Sequence, residues 1–192
     1  MVNQSSIINI CRSALTIDEI QSAKQIVEKY LTKFPDDIGI KIYKQLLSEP
    51  QPGVVTQQRY FEIQEKIIQS ISNPIVRASN LGILYKSSNE TAKAIEQFNI
   101  ALEAAKSVDL TKDTTVLENV RISAGNLLEL ALSTQKNDIA ENILKLAQEK
   151  NLDDFHGLFY AARFAAAKKD FNGALAKVDE CLKEHPISSQ AY

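Results

Sequence analysis

Apolar residues recur at i, i+3, i+4 and i+7 along almost the whole chain, and alternating strand patterns are scarce. That period is helical. Short polar or Pro/Gly breaks interrupt it at Pro35-Asp36-Asp37, Pro50-Gln51-Pro52-Gly53, Asn73-Pro74, Ser88-Asn89, Asp109–Asp113, Lys136-Asn137, Asn151–Asp154, Lys169-Asp170 and His185-Pro186. The pattern predicts ten helices, over about 4–15, 18–33, 37–48, 55–72, 75–87, 90–107, 114–134, 137–149, 154–168 and 171–184. Connections this short allow only antiparallel neighbours.

Gly82 breaks the rule within this pattern. It sits in RASNLGILYKSSNETAKAIEQFNIAL (Arg77–Leu102) with no turn residues around it, where glycine costs roughly 1 kcal/mol relative to alanine. Leu81-Gly82 is followed by Tyr85, then by Ala94, Phe98 and Ala101. The second spacing recurs as Ala174, Val178 and Cys181, closed by Pro186, with Ala162 in the Gly82 place. It recurs again as Ala140, Leu144 and Ala147, with Leu128 in that place, and as Ala23, Val27, Tyr30 and Pro35, with Cys11 there. Segment 38–72 fits poorly and is placed by helix count alone.

These residues resemble the tetratricopeptide repeat: a leucine-glycine pair, an aromatic three residues on, then alanine, phenylalanine and alanine on a second helix. Ala78 fills the usual tryptophan place, and 77–106 lacks the closing proline. The resemblance implies an all-α, right-handed α-solenoid of about five antiparallel helix pairs, a single domain over 1–192 and part of a longer protein. The alternative is a generic helix bundle in which Gly82 is incidental; one spacing recurring in separate segments favours the repeat. In such repeats the small place presses against the partner helix. Leucine at 82 is then expected to overpack, whereas alanine, on helix propensity, is expected to be neutral or slightly stabilising. Leu128 predicts either a wider local crossing or a different register.

Composition narrows the function. The 192 residues are 44% hydrophobic and 24% charged, with a net charge of -2, ordinary for a globular protein. Charge is balanced except in 109–154, where 5 basic residues face 9 acidic ones. No basic face suggests nucleic acid. No apolar run reaches the ~20 residues of a membrane helix, and the first residues, MVNQSSIINICRSAL, lack the basic and apolar blocks of a signal peptide. Cys11 and Cys181 read as buried free thiols, which points to a cytoplasmic setting. There is no phosphate loop, H-E-x-x-H, C-x-x-C or nucleophile elbow. Asp36-Asp37 and Asp153-Asp154 precede helices as capping groups, and His185 serves a helix end. The reading therefore expects no catalytic residues, no metal, no cofactor and no enzymatic activity.

What remains is a surface. The resemblance implies a concave groove lined by the first helix of each pair, which binds a peptide or partner segment. Two residues before the small places stand Asn9, Asn80, Asn126 and Tyr160. An asparagine amide can bind both N–H and C=O of an extended peptide. Arg163, with Phe159 and His156 on the same helix, suits an acidic or aromatic ligand group. The places of the family's carboxylate clamp hold Ser79, Ile83, Gly125 and Glu129, so that clamp is not expected. Two further readings stay open: a regulatory or self-assembly region of a larger protein, associating through its C-terminal helices, and a small-molecule or lipid-binding helical domain.

Overall fold

The computed structural model describes residues 4–17, 19–150, 152 and 154–184. Among these residues the chain is all-α: α1 Gln4–Ile17, α2 Ile20–Lys33, α3 Ile38–Leu47, α4 Gln57–Gln69, α5 Pro74–Ser87, α6 Thr91–Ala105, α7 Thr114–Ser133, α8 Asn137–Glu149, α9 Asp154–Ala167 and α10 Phe171–Glu184. Two 3₁₀ turns, Pro52–Val54 and Leu110–Lys112, occupy the longer connections. Helix starts follow local chemistry. Asp37, Thr56, Asn73 and Asp113 each turn a side-chain oxygen onto a first-turn N–H, which satisfies a donor the helix leaves unpaired. His185, Pro186 and the rest of 185–192 lie outside the described residues, as do Asp153 and the Asp154 side chain. No described helix is long and apolar enough to cross a membrane.

Packing divides the chain into two units, Met1–Ile71 and Ser72–Tyr192, where the sequence pattern suggests one continuous domain. In the first, α1 packs on α2 and α3, α2 on α3, and α3 on α4. Ile7, Cys11, Val27, Ile40 and Leu47 fill its core. Arg59 on α4 donates from Nε and Nη2 to both carboxylate oxygens of Glu49 at 3.0 Å. These bonds hold the Glu49 carboxyl below its ordinary value. In the second unit α5 and α6, α7 and α8, and α9 and α10 form pairs, and each first helix also packs on the next, α5 on α7 and α7 on α9.

The three pairs turn in the same way. Ser88-Asn89-Glu90, Thr134-Gln135-Lys136 and Lys168-Lys169-Asp170 each place their middle residue in the left-handed region, at φ 60°, 57° and 63°. The third residue of each turn then donates its N–H to a carbonyl five residues back, Glu90 to Tyr85, Lys136 to Ala131 and Asp170 to Ala165. This is the Schellman arrangement, usually built with glycine. It sets a common register: Ala94, Ala140 and Ala174 are each the fourth residue of their helix and buried, as is Ala23 of α2.

Gly82 on α5 faces the Phe98 ring of α6. A Cβ built on it would lie 2.5 Å from both Cδ1 and Cε1 of the Phe98 ring, far inside carbon–carbon contact distance. Phe98 is fully buried. The pairs with Gly82 or Ala162 at the small place pack more closely than those with Leu128 or Cys11. Leu128 itself is fully buried, so α7 accepts it by standing further from α8.

Propensity expects Gly82→Ala to be neutral; the Phe98 ring reverses that sign. Gly82→Ala should lower stability by about 1–3 kcal/mol, and Gly82→Leu by more. Gln135→Gly should act the other way, by up to about 1 kcal/mol, because it removes a Cβ from left-handed backbone. Urea denaturation of the full chain measures both. A Gly82→Ala midpoint equal to wild type would show that the ring does not limit the approach of α5 to α6.

Candidate functional site

Within the second unit, the first helices α5, α7 and α9 lie side by side, and their facing residues are about 40 apart in sequence. Ser79 Oγ donates to the Asn119 carbonyl at 3.1 Å. Lys86 Nζ donates to Asn126 Oδ1 at 2.8 Å and to Glu129 Oε2 at 2.9 Å. Tyr160 OH donates to the Arg121 carbonyl at 3.1 Å. These bonds tie α5 to α7, and α7 to α9.

Two of the predicted asparagines are absorbed into this lacing. Asn80 Nδ2 donates to the Val76 carbonyl at 2.8 Å and to Asn119 Oδ1 at 3.3 Å. Asn126 Nδ2 donates to the Ile122 carbonyl at 2.8 Å, while its oxygen accepts from Lys86. Both side chains are half-buried. The expectation that their amides are free of partners is corrected, although Asn126 still lines a cleft between α7 and α9. The i−4 carbonyl of the same helix is the nearest acceptor to an asparagine amide, and the next first helix supplies the second partner.

Tyr160 lines the same cleft but is itself engaged. It is 4% exposed, and its hydroxyl oxygen lies 3.1 Å from where a Cβ on Gly125 would stand. Gly125 thus leaves room for the phenol to reach the Arg121 carbonyl. Asn9 is exposed on α1, in the first unit, beside a shallow hollow with Ile10, Ser13 and Ser22. His156 belongs to α9, but its side chain lies outside the described residues.

Arg163 is half-buried on α9. Its guanidinium carbon lies 5.8 Å from the centre of the Phe159 ring, within cation–π range. Arg163 and Phe159 share a cleft of about 230 Å³ between α7 and α9 with Arg121, Gly125, Asn126 and Glu129. Glu129 is engaged by Lys86 and Arg121 lies 3.8 Å from Glu118. Among the described residues no carboxylate comes within ion-pair distance of Arg163. In the cleft, the half-buried Arg163 guanidinium thus has no ion-pair partner among the described residues and is backed by an aromatic face.

Lys86, Arg121 and Asn119 were not legible as site residues. Their signal is the recurrence near 40 residues between facing positions, which appears only once the pairs are stacked. No protein-family model matches this chain, and no curated protein is similar to it in sequence.

Tyr160→Phe should lower stability by about 1 kcal/mol, since the hydrogen bond from the Tyr160 hydroxyl to the Arg121 carbonyl is lost. Asn126→Ala should cost a similar amount, whereas Asn9→Ala should leave the melting temperature unchanged. Thermal unfolding of the three variants tests this. Equal behaviour of Asn9→Ala and Asn126→Ala would contradict the structural role of Asn126.

Proposed function

We propose that this chain is a tetratricopeptide-like helical-repeat scaffold that binds a peptide or partner segment without catalysing a reaction, and that it holds an acidic group of that segment at Arg163. The observation that carries the reading is the Arg163 guanidinium, without an ion-pair partner among the described residues, against Phe159 in the α7–α9 cleft. A guanidinium offers a planar fork of donors that suits a carboxylate bidentately. Half-burial makes such a bond stronger than one on an open surface. The repeated left-handed turns and the buried fourth-position alanines support a stacked-repeat architecture for the second unit.

An acidic peptide selected on the purified chain should lose about 1.5–3 kcal/mol of binding in Arg163→Ala, the worth of a charged hydrogen bond, with melting unchanged. Calorimetric titration reads this. Peptides whose affinity is indifferent to Arg163→Ala would sink the reading.

One observation favours the self-assembly reading in addition. On α10, Phe171 is 64% and Leu175 62% exposed, one helical turn apart on the same face. Light scattering over a concentration series should show reversible dimers that Leu175→Glu abolishes. A monomer at every concentration up to several hundred micromolar would rule that association out.

A further inference from the structure

The second helices α6 and α8 both pack on α7 and leave a groove between them. Leu102, Leu127, Ile143 and Leu146, all nearly fully buried, form its floor. Its volume is about 320 Å³. At one end α6 and α8 finish side by side, where Lys150 Nζ donates to the Lys106 carbonyl at 2.6 Å and to that of Val108 at 3.3 Å. Two turns back from Lys106 on α6 stands Asn99, and two turns back from Glu149 on α8 stands Asn142; both line the groove. Neither amide has a hydrogen-bond partner among the described residues, in contrast to Asn80 and Asn126.

The rim charges cancel locally. Lys106 pairs with Glu103 on its own helix at 2.6 Å, and Lys145 lies 3.8 Å from Glu149 on its own. Each wall carries one lysine and one glutamate. A carboxylate or ammonium entering here would meet attraction and repulsion of similar size and would be desolvated over an apolar floor. A neutral segment meets no such penalty. Seven residues of helix span about 10 Å, the reach of about three extended residues.

We propose that the α6–α8 groove is a second binding site, for a short, uncharged, extended peptide segment that seats one apolar side chain on the Leu102–Leu127–Leu146 floor and pairs its backbone with Asn99 and Asn142. An asparagine amide presents both donor and acceptor, which matches the N–H and C=O of an extended chain. The site does not depend on the Arg163 cleft, which opens between α7 and α9 and shares none of its lining residues.

The test selects short displayed peptides lacking Asp, Glu, Lys and Arg on the immobilised full chain. The enriched peptide, with acetylated and amidated ends, is then titrated into the isotope-labelled chain. Amide shifts should cluster in 99–106 and 139–149. Asn99→Ala and Asn142→Ala should each weaken binding about tenfold with the melting temperature unchanged, and Arg163→Ala should leave it as it is. The proposal is overturned if no uncharged peptide is enriched, if an Asp-containing version binds more tightly, or if the shifts fall elsewhere. It is equally overturned if both asparagine variants bind as wild type, if Arg163→Ala abolishes binding, or if the same shifts arise from raising protein concentration alone, which would make a second copy the occupant.

Discussion

The Phe98 ring lying over Gly82 is the constraint from which the rest of the second unit follows. With no Cβ in the way, α5 closes on α6 until ring and backbone touch. The fully buried ring then anchors Ala94 and Ala101 beside it. Close pairing fixes the face that α5 turns toward α7. Only with that face fixed do Ser79, Asn80 and Lys86 reach Asn119 and Asn126. Burial of one large side chain contributes on the order of 2–3 kcal/mol. The individual bonds between first helices contribute about 1 kcal/mol each, so packing sets the geometry and the hydrogen bonds select the register.

The turns obey the same hierarchy. A first helix can return directly into its partner only if one residue enters left-handed space, and this chain uses Asn89, Gln135 and Lys169 there. Asparagine tolerates that conformation, whereas glutamine and lysine have little local reason to adopt it. Their φ values are therefore imposed by the packing of α7 on α8 and α9 on α10. A penalty of about 1–2 kcal/mol per turn is small beside the apolar surface each pair buries.

The same logic separates polar groups that lace the fold from those left to meet a partner. Asn80, Asn126 and Tyr160 occupy places where another first helix arrives: Asn80 donates to the Asn119 amide oxygen, Asn126 accepts from the Lys86 ammonium and Tyr160 donates to the Arg121 carbonyl. Arg163 lies where α7 and α9 leave a cleft, and no carboxylate among the described residues pairs with it. Asn99 and Asn142 stand on helices that pack on α7 and leave a groove between them. Availability for binding is set by which neighbour a face meets more than by residue type.

Periodicity and breaker residues determined that this chain is helical, that ten helices stand in near-final positions among the described residues, and that Gly82, Ala94 and Ala162 mark close contacts. These are local properties: a helix start depends on Asp37 or Asn73 and its own first turn, and a buried face on residues three and four apart. The pattern around 57–69 was less legible, because Tyr60 stands at the fourth position where the other second helices carry alanine. Only the tertiary structure decided what the polar residues do. Asn80 reads the same in sequence whether it faces solvent or Asn119, and Gly82→Ala looks harmless until Phe98 is placed above it. The partner of each such group lies on another helix, up to about 40 residues away, and its position depends on crossing angle and on how closely the intervening pair packs. No local pattern encodes that distance, because it is the sum of every contact made in between.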